Sequence, residues 1–177
     1  MSKKVITLRL SRASIKKAIH DLNDYQKWLE DGVNRLVEEL AKEGVTIASA
    51  KFAQAQYDGT NDAVVTEYSD GRGKATVRAD GNSVLFIEFG TGIAYSGPHP
   101  EGDDLGMIRG QYGHHLGSLP GGWRYYGDPG TNGEVIPEGE KHAGMVHTFG
   151  NPANMPMYET KRELEGKFRD IARRVFQ

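Results

Sequence analysis

Hydrophobic and polar positions change period several times along the chain, and each change predicts a different element. Val5, Thr7 and Arg9 alternate with Ile6, Leu8 and Leu10, which predicts a short strand. Ser11 then stands where a helix cap belongs, ahead of Ile15, Ala18, Ile19 and Leu22 on one helical face. Asn23 and Asp24 can cap a second, longer helix with a stripe of Trp28, Leu29, Val33, Leu36, Val37, Leu40 and Ala41, spaced by threes and fours. Gly44 interrupts that stripe at a cost of about 1 kcal/mol against alanine. Val45, Ile47, Ala48, Phe52 and Ala55 resume it, so the helix is expected to run to about Tyr57 with a kink near Gly44.

Beyond Asp58-Gly59 the period shortens. Residues 63–69 and 74–80 are β-prone runs joined by Asp70-Gly71-Arg72-Gly73, a hairpin signal. Asp80-Gly81-Asn82 makes a further turn into Val84 to Phe89, which is apolar at nearly every position. That run predicts a third strand, buried on both faces, completing an antiparallel meander. From Gly90 to Gly150 the chain holds 16 of its 23 glycines, which opposes long regular elements. Within it, residues 123–126 and 145–149 are short β-prone patches. Asn151-Pro152-Ala153-Asn154 predicts a turn with Asn154 capping a last helix, whose face carries Leu164, Phe168, Ile171 and Val175. The sum is an α+β fold, with a twisted antiparallel sheet packed by a long N-terminal helix and a C-terminal helix. It forms one domain over 1–177: strand and helices in 1–57, meander in 58–92, a long glycine-rich loop insertion in 93–146, and a final strand and helix in 147–177.

Length and composition narrow the class. A chain of 177 residues can bury a real core, and its 37% hydrophobic and 26% charged content is that of an ordinary soluble domain. No apolar run approaches the ~18 residues of a membrane span, and the N-terminus lacks the apolar core of a secretory signal. The absence of cysteine removes disulfide and thiol chemistry and suits a reducing cytoplasm. Net charge is −2, but unevenly spread: about +3 over residues 1–57, −7 over 58–150 and +2 over 151–177. The acidic middle consists of solvated loop carboxylates, or else it complements the basic ends of other copies or lines a channel that repels DNA.

Candidate chemistry is sparse. Gly90-Thr91-Gly92 follows an apolar run but lacks the third glycine, the Lys-Ser/Thr pair and the following helix of a phosphate loop, so no nucleotide or other cofactor is expected. Five of six histidines, His99, His114, His115, His142 and His147, lie in the loop region with Asp103 and Asp104. None shows the one-turn helical spacing of a zinc protease, and ordinary loop histidines are the preferred reading over a metal-dependent hydrolase. No nucleophile elbow occurs. Tyr95, Tyr112, Trp123, Tyr125 and Tyr126 either pin the loop to its own domain or form a protein interface, with Tyr112, Trp123, Tyr125 and Tyr126 the candidate interface loop. Base stacking is disfavoured by the acidic surroundings. Glu88, alone in an apolar run, is either a specific polar contact or a solvated edge carboxylate.

Two motifs carry a resemblance. Phe86-Ile87-Glu88-Phe89-Gly90-Thr91-Gly92 and the segment His147 to Met157, with Phe149, Gly150, Pro152 and Pro156, stand in an order that resembles the tail-component family of long-tailed phages and prophages. That family includes tail-completion and head–tail joining (neck) proteins. The resemblance implies a structural virion protein without enzymatic activity, assembled in the host bacterial cytoplasm. It implies a homo-oligomeric ring, six copies to match tail symmetry, that contacts neighbouring neck and tail proteins. DNA would only pass through the channel, and no membrane is involved. A tail terminator or tube-associated protein is the alternative within assembly. The segment between the motifs, residues 93–146, is longer here than is usual for the family.

Overall fold

The computed structural model describes residues 9–90, 99–107 and 121–177. The strand expected over residues 5–10, and Thr91, Gly92, Tyr95, Tyr112, His114 and His115, fall wholly or largely outside those residues. The element order is α1 (Arg12–Ala53), β1 (Val64–Ser69), β2 (Ala75–Asp80), α2 (Val84–Phe89), β3 (Trp123–Tyr125), β4 (Glu134–Val135), β5 (Val146–Thr148) and α3 (Pro156–Phe176). This is an α+β fold, and no helix among the described residues is long and apolar enough to cross a membrane.

α1 is one helix of 42 residues, not two. Ser11 caps it as expected, its hydroxyl accepting from the Ser14 N–H at 3.2 Å. Asn23 and Asp24 do not end the first segment, because the apolar face keeps its phase across them and both side chains face solvent, where the helix tolerates them. The C-terminal end comes at Ala53, a turn before Tyr57.

α3 packs antiparallel along the second half of α1. Lys167 bridges Glu43 at 2.6 Å and Glu163 at 3.1 Å, and Lys51 reaches Glu163 at 3.6 Å. At the far end the Phe176 ring lies over Gly32 and meets Trp28 edge-on at 5.7 Å. Ile171 is buried on this face, whereas Phe168, expected beside it, is half exposed. Gly44 is the point where three elements close on one another: a Cβ there would sit 2.8 Å from Val77 Cγ2 and 3.2 Å from Leu164 Cδ1. The residue that interrupts the stripe is thus a close-packing residue between α1, β2 and α3.

The β-structure is smaller than the sequence suggests. β1 and β2 form the expected hairpin, Val64 opposite Asp80 through Ser69 opposite Ala75, turned by Asp70, whose carboxylate accepts from the Arg72 and Lys74 N–H groups. The predicted third strand is instead the helix α2. Val84, Ile87 and Glu88 are its buried positions, at the i, i+3, i+4 spacing of one helical face. A short apolar run does not distinguish a buried strand from a helical turn, and its surroundings decided the matter. The second sheet has the order β3-β5-β4, all antiparallel. β3 and β5 lie within the two patches read from sequence, and β4 joins them unanticipated. The core gathers Phe52, Ala55, Val84 and Ile87, with Tyr57, Ala63, Val65, Ala79 and Met157 around it.

Filling the space at Gly44 tests this packing. A Gly44→Val chain should lose about 2 kcal/mol by overpacking, which lowers the melting temperature by roughly 4–8 °C. Gly44→Ala should fall much less, because alanine's helix preference offsets part of the clash; thermal denaturation of both variants is the check.

Candidate functional site

The two sequence motifs meet in space, and Glu88 is where they join. Glu88 is 5% exposed, so the reading of a solvated edge carboxylate is wrong. α2 aims it at the start of α3, where Oε2 accepts from the Met157 N–H at 2.8 Å and Oε1 from the Tyr158 N–H at 3.0 Å. Those are orphan donors of the helix's first turn, and the positive end of its dipole favours the carboxylate. Asn154, expected to cap this helix, does not. The cap position is Met155, held at φ 55° with no side-chain cap bond, and Pro156 follows at the first helical position. The capping carboxylate comes from 69 residues earlier in the chain.

His99 completes the cluster. Glu101 N–H donates to its Nδ1 at 3.1 Å, which leaves the proton on Nε2 to be donated to Glu88 Oε1 at 3.0 Å. Phe89 and Tyr158 flank the imidazole, with ring centroids at 4.6 and 5.2 Å. A buried carboxylate is thereby given three donors and an aromatic wall. Lys161 Nζ holds Glu101 from outside at 2.6 Å.

Gly90 explains itself by contact. At φ 70° it turns the chain out of α2, and a Cβ on it would lie 2.6 Å from Ala153 N and 2.8 Å from Asn151 O. The 151–154 loop presses directly on it and is fixed there by the Asn154 N–H to Ile87 O bond at 2.9 Å. The asparagines face the other way, onto the segment leaving α1. Asn154 pairs with both backbone groups of Gln56 at 2.9 Å. Asn151 accepts from the Asp58 N–H at 2.8 Å and donates to the Asp58 carboxylate. Thr131 adds a third strap, its N–H donating to Tyr57 O at 2.8 Å. Neither His99 nor the targets of these asparagines stand at a telling sequence spacing; only Glu88, an acid in an apolar run, carried a signal.

The other candidates fall into two groups. Phe86 and Phe89 are half-buried, and Gly150 and Pro156 are buried in the junction, with Pro152 at its edge. Phe149 is half exposed, its ring against His147 at 4.8 Å. Trp123 and Tyr125 are half-buried in β3, and the Tyr125 hydroxyl donates to Asp128 O at 2.8 Å, closing the turn that follows the strand. Burial, with Asp58 and Asp128 nearby, pushes that hydroxyl's pKa up to about 12. Tyr126 is 78% exposed and is free to meet another molecule.

No group of three or more metal-ligating side chains occurs among the described residues. His147 bonds to Gly121 O at 2.7 Å, His142 lies on an exposed turn, and Asp103 and Asp104 face solvent. No protein-family model, curated protein or solved structure matches the chain.

Two predictions follow from these bonds. Glu88→Ala strands three buried donors and should cost about 3 kcal/mol or more. Glu88→Gln should recover only part of that, since its NH2 must face one of those donors; chemical denaturation of both variants measures the difference. Asp62 accepts from the Ser83 hydroxyl at 2.6 Å and from the Ser83 and Asn82 N–H groups at 2.9 Å. The Ser83 bonds first, then Asn82, hold its pKa well below the ordinary 3.8. A depressed folded pKa gives stability that is complete above the unfolded value and lost as pH falls toward the folded one. Stability measured from pH 6 down to pH 2 should therefore fall less steeply in Asp62→Asn than in the native chain.

Proposed function

We propose that the chain is a structural component of a tailed-phage particle, acting as a ring at the head–tail junction or tail end. The observation that carries this reading is the Glu88–α3 junction. The described residues of the two motifs on which the resemblance to tail-completion and neck proteins rests interlock, and Glu88, Asn151 and Asn154 are engaged in internal bonds. Such a unit sets the shape of a subunit. The surface left for neighbours includes Tyr126, Phe149, Val135 and Leu105, all exposed apolar or aromatic side chains. A closed ring repeats one heterologous contact at each junction, so a stiff subunit is what closure needs. Charge assists: the acidic middle of one copy would meet the basic ends of the next, with neighbouring neck and tail proteins above and below and DNA only passing through.

The purified chain should scatter as a species near 117 kDa, six chains of 19.5 kDa, with a central hole in negative-stain images. Glu88→Ala should abolish that species. A metal-dependent hydrolase is the rival from another class, and one tightly bound ion per chain in elemental analysis, with no large species, would sink the ring reading in its favour.

A further inference from the structure

α1 reaches well beyond its partner helix. Its 42 residues span about 63 Å and the 21 of α3 about 32 Å, and α3 ends with Phe176 over Gly32. Beyond the end of α3, Ile15, Ile19 and Leu22 are 42%, 53% and 54% exposed and Leu29 is 42%, while Ala18 on their flank is buried. With Gln26 and Val33 these residues recur at steps of four and three without a break, the repeat of a coiled-coil seam. The C-terminal end of the seam opens into a groove of about 470 Å³ between Leu29, Glu30, Val33 and Asn34 of α1 and the Gly71–Gly73 turn of the hairpin.

We infer that this seam pairs with the same seam of a second copy of the chain, the two α1 helices running antiparallel about a twofold axis near Asp24. In that register Ile19 of one copy lies across from Leu29 of the other, Leu22 from Gln26 and Ile15 from Val33. Ile15 thereby enters the groove beside the hairpin turn. The flanking charges select both the occupant and the direction. Lys16 of each copy meets Glu30 of the other, one opposite-charge pair at either end, and Asn23 meets Asn23 at the axis. A parallel pair would set Lys16 beside Ser11 and Glu30 beside Tyr25, leaving both charges without an opposite. Gln26, the polar member of the seam, donates to Glu30 Oε1 at 2.8 Å, which holds its amide against its own helix. The contact is isologous, unlike a ring junction; it forms with or without rings, and on six-chain rings it pairs one ring with another, doubling the six-chain mass.

The chain contains no cysteine, so introduced ones report without background. Full-length Lys16→Cys and Glu30→Cys chains, one of them isotopically labelled, are mixed, oxidised and resolved by mass spectrometry, with Asp24→Cys on the outer face as control. The mixed disulfide should exceed either homodisulfide and the control by roughly tenfold, because only that pair brings the Cα atoms within bonding reach. In parallel, Leu22→Glu should raise the dimer dissociation constant by about 100-fold, while leaving the melting temperature of the dilute monomer unchanged. Homodisulfides in place of the mixed species would overturn the antiparallel pairing. A native chain that stays monomeric with no disulfide above control would overturn the pairing altogether. A Leu22→Glu monomer that melts earlier would overturn it too, since the seam would then be covered by the chain's own residues.

Discussion

A carboxylate removed from water is costly, by several kcal/mol for each ion after relaxation, unless its surroundings replace the lost solvent. Glu88 meets that constraint with two backbone N–H groups at the head of α3, the Nε2–H of His99 and the favourable end of a helix dipole. The arrangement demands much of the chain around it. α2 must be helical for Glu88 to turn inward with Val84 and Ile87. The chain must then leave at Gly90 with positive φ, and the 151–154 loop must lie against that glycine closely enough to exclude a Cβ. Removing the carboxylate would release all three requirements together.

Around that centre the fold is held by directional bonds more than by bulk. The core cluster is small, with Phe52, Ala55, Val84 and Ile87 at its heart. Beside it, Asn151, Asn154, Thr131 and Asp62 each bind backbone groups distant in sequence. An apolar contact tolerates sliding, whereas an amide paired with both groups of Gln56 does not. The body of the molecule is therefore geometrically specific, while the N-terminal half of α1, beyond the end of α3, carries exposed Ile15, Ile19 and Leu22. A stiff body with exposed apolar residues on one helix suits a protein whose proposed role is to fit between others.

The periodic parts of the chain were legible from sequence. Ser11 began α1 and the 3–4 spacing marked its apolar face, although Asn23-Asp24 read as the start of a second helix and the end came at Ala53 rather than near Tyr57. The 70–73 turn marked the hairpin, and the patches around Trp123 and Met145 contained β3 and β5. In each, the local pattern and the final environment agree. Val84 to Phe89 was misread because six apolar residues satisfy strand and helix alike, and only the burial of Glu88 against α3 requires the helix. Asn154 was misread because its side chain suits a helix cap, yet the backbone of Gln56, 98 residues away, claims it.

Sequence by itself determined the class of the fold, the two long helices and the two motifs that matter, since these depend on residues within a few turns of each other. Tertiary structure alone decided what the motifs do: that Glu88 caps α3, that His99 supports Glu88, that Gly90 is a contact surface for the 151–154 loop, and that Gly44 is a contact for β2 and α3. The reason is physical. Helical period and turn chemistry act over about four residues and are written locally. A hydrogen bond between residues 69 or 98 apart depends on where packing brings the chain back, and no spacing in the sequence records that.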